Sequence, residues 1–306
     1  MADLLDKRLL FVTGKGGVGK TTVSLALGLA AAQRGKRTIV CEVAAQENAS
    51  RSFGRAQVGF HEVEMAENLW AISIDPDDSL REYLQIQLKV RAMSDLLFKS
   101  RLFGYLAAAT PGLRELVTIG KIWELAQLDR KVKQGRKYDL VIVDAPATGH
   151  GVGFLQTPRT FARIARVGPI KSQAAALDAL ITDRKHSGAA IVAMPEEMPV
   201  NETAQLEREL RDEVGVAVDR VYLNAVYPDR YSAREAEALE RAAAGAGGVA
   251  TEAVRAALRE HRRAGAHAAQ RERLEGLVET PVHPLPFVFK RELRRRELAL
   301  LAAEVG

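Results

Sequence analysis

Cysteine is almost missing from this 306-residue chain, which has one, Cys41. A single thiol excludes both an internal disulfide and an all-cysteine metal site within one chain. Its place in the apolar run Thr38-Ile-Val-Cys-Glu-Val43 suits a buried strand residue better than a reactive thiol. Long hydrophobic runs are also lacking: none reaches the 18 or more residues of a membrane-spanning helix. The segment Met1-Ala-Asp-Leu-Leu-Asp-Lys-Arg8 has no signal-peptide pattern, so a cytoplasmic location is expected. Nor does one sign of charge dominate. With 44 basic and 39 acidic residues the formal charge is +5, mild and mostly interspersed along helices, so it gives only weak support for nucleic-acid or membrane binding: the charge is no evidence for nucleic acid, and membrane contact is expected only indirectly. Internal repeats and extensive low-complexity segments are absent too, which points to one domain over residues 1–306. The 47% apolar and 27% charged content are those of a soluble globular protein with a substantial core.

What is present is organised by Leu9 to Thr22, where an apolar run turns into a glycine loop and then a helix-forming stretch. Gly14-Lys15-Gly16-Gly17-Val18-Gly19-Lys20-Thr21 fits the P-loop pattern G-x-x-x-x-G-K-[ST]. Small residues let successive backbone N–H groups converge on phosphate oxygens at a helix N-terminus. Lys20 then supplies a point charge to the β- and γ-phosphates and the Thr21 hydroxyl a ligand for Mg²⁺, with Thr22 opening the helix. Tyr138-Asp-Leu-Val-Ile-Val-Asp144 reads as a short strand ending in a carboxylate, the Walker B arrangement, with Asp144 at the magnesium hydration shell.

Between and beyond these motifs the chain alternates. A helix is expected from Thr22 to Arg34, strands at Arg37 to Val43 and Leu69 to Ile74, and a polar loop from Ala44 to Glu67 between them. Ser79 to Gln134 shows helical spacing without strands, a helical insertion over residues 79–134. Its middle, Met93 to Leu106, is dense in apolar residues, which suits core and dimer packing or an apolar client surface, although it lacks a methionine-rich character. Ala145 to Pro158 reads as a glycine-rich switch, including Thr148, Gly149 and His150. Further strands are expected at Gly188 to Met194, Arg220 to Asn224 and Glu279 to His283. Helices are expected from an Asn201 N-cap, across Ser232 to Glu275 with a joint at 243–248, and from Lys290 onward. Asn224 is a turn former or a reader of a purine edge. The whole implies an α/β fold: a mostly parallel sheet with helices on both faces and the nucleotide at the carboxyl ends of the strands.

Lys15 is a second lysine that an ordinary P-loop does not need, and Lys15-Gly-Gly-Val-Gly-Lys20-Thr-Thr22 resembles the deviant Walker A of the signal-recognition, MinD and ParA class of dimeric ATPases. More of the chain resembles one branch, the arsenite-pump ATPase and its eukaryotic relative that carries tail-anchored membrane proteins. The resemblance rests also on Asp144-Ala-Pro-Ala-Thr-Gly-His150 with Leu155-Gln-Thr-Pro158, and on Pro111-Gly-Leu-Arg-Glu115. It implies ATP and Mg²⁺ as cofactors, Lys15 reaching across a dimer interface, and Lys15, Lys20 and Asp144 as the catalytic set. It further implies that Glu202, Asn224, Pro284 and Pro286 line the adenosine. The expected partners are a second copy or a related ATPase, and a hydrophobic protein client. The family's switch I aspartate, aligned on Asn48 and Phe53, falls on Ala44, so hydrolysis is expected to be slow, with Glu42 or Glu47 as possible substitutes. Alternatives are a nucleotide-gated scaffold or hetero-oligomer subunit without useful hydrolysis, and a surface-binding ATPase of the MinD and ParA kind using a terminal helix at Lys290 to Leu301. The cysteines of the arsenite pump and the zinc-sharing C-x-x-C of the tail-anchor ATPase are both missing.

Overall fold

The computed structural model describes residues 3–43, 48–55, 57–88, 110–127, 136–147, 150–165, 168–245 and 248–306. Its strands are β1 (Leu9–Gly14), β2 (Thr38–Val43), β3 (Val63–Ala66), β4 (Leu69–Ile74), β5 (Leu140–Asp144), β6 (Ser187–Ala193), β7 (Val218–Val226) and β8 (Val282–Pro286). They form one sheet in the order β3-β4-β2-β5-β1-β6-β7-β8. All neighbours run parallel except β3 with β4. The helices are α1 (Lys20–Gln33), α2 (Asn48–Phe53), α3 (Pro76–Leu88), α4 (Leu113–Ala126), α5 (His150–Ile164), α6 (Pro169–Thr182), α7 (Glu197–Glu209), α8 (Ala233–Gly245), α9 (Val249–Leu277) and α10 (Arg295–Val305). This is the fold of a P-loop NTPase.

The strands β1, β5 and β6 are buried at every residue, because a parallel sheet covered on both faces selects near-continuous apolar runs. Alternation splits the core into two layers. Leu9, Phe11, Val141 and Val143 face α4 to α7, whereas Leu10, Val12, Leu140 and Ile142 face α1 and α10. Helix α1 is buried without interruption from Val23 to Ala32, as befits a helix apolar on all sides and trapped between sheet and another helix. That other helix is α10, whose Leu298, Leu301, Ala302 and Val305 are buried and whose Val305 carbonyl accepts from the Tyr222 hydroxyl at 2.8 Å. Among the described residues no helix is long and apolar enough to cross a membrane.

Several elements depart from the sequence expectation. The span 44–67, expected as loop, contains α2 and the antiparallel β3, which pairs Val63 with Ala71 at the sheet edge. The switch stretch is helical from His150, and it carries Pro158 inside α5. Helix α7 starts at Glu197, so Asn201 lies in its second turn rather than at its cap; Pro199 fits the first turn, where its missing N–H leaves no bond unmade. The last strand is Val282–Pro286, displaced from Glu279–His283, with prolines tolerated because β8 is an edge. The basic stretch at Lys290 becomes helical only at Arg295. The insertion is helical in α3 and α4, and its apolar middle, Met93 to Leu106, lies outside the described residues.

Candidate nucleotide site

Strand β1 sits between β5 and β6, and the chain leaves it toward β2 on one side and returns from β5 to β6 on the other. Such a reversal of strand order opens a crevice at the carboxyl ends of the strands. The glycine loop stands there. Gly14 holds φ +145°, and a Cβ on it would lie 2.2 Å from the Val192 carbonyl oxygen. Gly19 holds φ +93°, and a Cβ there would lie 2.3 Å from Asn224 Nδ2. No L side chain satisfies either position, so the tight loop from β1 to α1, pressed against β6 and β7, requires glycine at both.

Within the loop, Lys20 Nζ donates to the Lys15 carbonyl at 2.9 Å. Burial holds the Lys20 ammonium below its ordinary pKa, against the pull of the Asp144 charge. The Thr21 hydroxyl donates to Asp144 Oδ2 at 2.5 Å, joining positions 123 residues apart. Asp144 is 8% exposed, and burial raises its pKa to about 6, opposed by the Thr21 hydrogen bond and by Lys20. Its Oδ1 is buried without a hydrogen-bond partner, which is costly unless something completes it. A hydroxyl and a carboxylate with a spare lone pair suit a hard divalent cation that keeps several waters, as Mg²⁺ does.

Lys15 points its side chain elsewhere, to Glu202 Oε1 on α7 at 2.7 Å. Asn224 Nδ2 donates to the Val18 carbonyl at 2.9 Å, so this amide braces the loop. Pro284 pairs in register with Leu223 and Pro286 with Val226, on β8, one strand beyond the β7 that carries Asn224. Beyond them an aromatic group gathers at the ends of β7 and β8: Tyr227 and Phe287 stack at 4.6 Å, with Phe289 at their edges. Arg263 lies over Tyr227 and Arg230 over Phe289. The sequence reading did not assemble this group, although Phe287 and Phe289 alternate beside Pro284 and Pro286.

On the other side of α1 a cavity of 620 Å³ opens beside Thr21 and Thr22, walled by Asn48, Arg51 and Ser52 of α2 and by Glu292 to Arg294. Helix α2 is docked by Glu42, whose Oε1 accepts from the backbone of Asn48 at 2.8 Å and Ala49 at 3.2 Å. Glu42 pairs in register with Asp144 on the neighbouring strand, so the two carboxylates share one face of the sheet. The one signal for it was an acid interrupting the apolar run Thr38–Val43. Ala44, Glu47, Thr148 and Gly149 lie outside the described residues, and His150 begins α5. Gly16 and Gly17 are exposed in the loop and Val18 is buried beneath it.

The profile of the anion-transporting ATPase family matches residues 7–173, more than half of the chain. The ATPase BagA of Mycobacterium tuberculosis is 28% identical over 257 residues, 82% of this chain and 73% of BagA. The ATPase GET3 of Kluyveromyces lactis is 31% identical over 178 residues, 53% of this chain and 51% of GET3. GET3 of Lachancea thermotolerans is 32% identical over 163 residues, 51% and 46% of the two chains. With the loop, its carboxylate and the sheet that joins them, these likenesses assign the chain to the anion-transporting ATPase family, of the arsenite-pump and GET3 type.

Proposed function

We propose that the chain binds Mg-ATP at the Gly14–Thr22 loop and hydrolyses it slowly, as one half of a dimer that closes on nucleotide. The observation that carries this reading is the convergence of Lys20, Thr21 and the incompletely satisfied Asp144 at one strand end. Loop amides and Lys20 hold the phosphates, Thr21 and Asp144 hold the metal, and Asn224, Pro284 and Pro286 flank the base. When bound, Mg²⁺ offsets charge on the β- and γ-oxygens. Lys15 serves the nucleotide of the partner, either a second copy or a related ATPase. Turnover is slow because Ala44 stands where the family has its water-positioning aspartate, and phosphoryl transfer depends on positioning more than on covalent help. Glu42 is a poor substitute, since its Oε1 is engaged by α2.

The expected client is a hydrophobic helical segment, by analogy with the family. An apolar cavity of 170 Å³ between α3, α4 and α6, lined by Tyr83, Leu113, Leu116, Trp123, Ile170 and Leu177, supports an apolar handling surface on this side of the molecule. The MinD- and ParA-like reading loses support because the apolar face of α10 is spent on α1. A cytoplasmic location agrees with this reading. The test is calorimetry of ATP binding: Lys20→Ala should weaken affinity by about tenfold or more, as loss of a charge-assisted contact requires. Wild-type affinity in that variant would sink the phosphate assignment.

A further inference from the structure

Lys15 and Glu202, 187 residues apart in the chain, form an ion pair of 2.7 Å. Their side chains are 32% and 34% exposed. The two ends of this pair differ in freedom. Glu202 stands on α7, whose Val200, Thr203 and Leu206 are buried and whose Asn201 accepts from Arg273 of α9 at 2.8 Å. Lys15 stands in the loop between Gly14 and Gly16, two residues without side chains, with Gly16 and Gly17 exposed. The lysine is therefore the partner that can move.

Charge explains why it is held at all. Lys20 Nζ rests on the Lys15 carbonyl, so two ammonium groups converge on one short loop. Without phosphate, the carboxylate of Glu202 balances Lys15, while the Asp144 charge acts on Lys20. A polyphosphate brings several negative charges to the same loop, competes for the ammonium and repels the carboxylate. The pair is weak enough to exchange, because a partly exposed ion pair shifts an equilibrium by no more than about fivefold.

We infer that Glu202 is a positioning residue that holds Lys15 in cis in the nucleotide-free chain and releases it when phosphate occupies the loop. The inference rests on the proposed nucleotide site, and it gives the second lysine a defined resting place before it meets a partner. It also predicts that Glu202 governs Lys15 in the isolated chain, with no dimer needed.

The experiment acylates dilute full-length protein with an amine-reactive ester and reads Lys15 and Lys20 separately by mass spectrometry, with and without Mg²⁺ and a non-hydrolysable ATP analogue. Without nucleotide, Glu202→Gln should speed acylation of Lys15 by about threefold to fivefold and leave Lys20 unchanged. With the analogue, Lys20 should become protected and the Lys15 rates of the two proteins should converge. Equal Lys15 rates without nucleotide would overturn the cis hold, and a difference that persists with the analogue bound would overturn its release. Failure of the analogue to protect Lys20 would overturn the nucleotide assignment and the release with it, while the nucleotide-free rates still decide the hold.

Discussion

Asp144 carries the sharpest consequence at the level of single residues. Burial raises its pKa from 3.8 to about 6, so the folded, metal-free protein binds that proton more tightly than the unfolded chain does. Stability contributed by the neutral carboxyl is therefore lost as pH climbs from about 4 to about 6, and the deficit, on the order of 3 kcal/mol, persists above that range. Asp144→Asn should remove this slope. Metal-free thermal melts of the two proteins should nearly coincide at pH 4 and separate above pH 6, with the Asn form the more stable; parallel curves would exclude burial of the charge as the cause. Magnesium affinity should rise across the same interval, since the ion takes the carboxylate. Ala44 offers a gain-of-function test. Ala44→Asp should raise ATP turnover on the order of 10²-fold, the usual size of a restored acid–base or water-positioning group, and brisk turnover by the unmodified protein would overturn the slow-hydrolysis reading.

Among elements, α2 is the most exposed to a single change. It is a six-residue helix, too short to hold itself, and the bonds from its first amides to Glu42 tie its start to β2, with Ala49 buried against the core. Glu42→Ala leaves those two donors without this acceptor at a cost of about 1–3 kcal/mol. Hydrogen exchange at Asn48 and Ala49 should accelerate in this variant while exchange in β1 and β5 holds. Glu42→Gln, which keeps an acceptor oxygen, should behave much like the parent. Equal protection in the Ala variant would mean that α2 is held by something else. The bond from Asn224 to Val18 couples β7 to the loop in the same manner, by a side chain at one strand end supporting backbone at another.

For the molecule as a whole, the property to test is the proposed association. The proposed dimer makes Lys15→Ala informative: sedimentation with Mg²⁺ and a non-hydrolysable ATP analogue should show wild-type protein shifting to a dimer and the variant remaining mostly monomeric. A variant that dimerises like wild type would remove Lys15 from the interface. Removing Lys15 should cost ATP affinity of the monomer far less than removing Lys20, because only Lys20 rests inside the loop while Lys15 turns away to α7. On the proposed reading, the two lysines separate binding from assembly in one chain.

Much of this is legible in the amino-acid sequence. Eight consecutive residues from Gly14 to Thr21 specify a phosphate loop because the requirement is local: glycines to admit backbone, a lysine and a hydroxyl at set positions. The alternation of strands and helices, the burial of Cys41 at 0% exposure and Asp144 at a strand end followed from pattern in the same way. The edge strand β3, the helix α2 and the true start of α7 did not, since short polar elements owe their existence to neighbours rather than to their own periodicity. Nor did the pairings. That Thr21 meets Asp144, Lys15 meets Glu202 and Asn224 meets Val18 depends on which strands lie side by side and in what register, and register is settled by burying two apolar layers at once. The same burial sent the apolar face of α10 onto α1, where sequence alone left it available to a surface. Local chemistry can be encoded by a few adjacent residues, but the meeting of distant side chains is a property of the packed sheet.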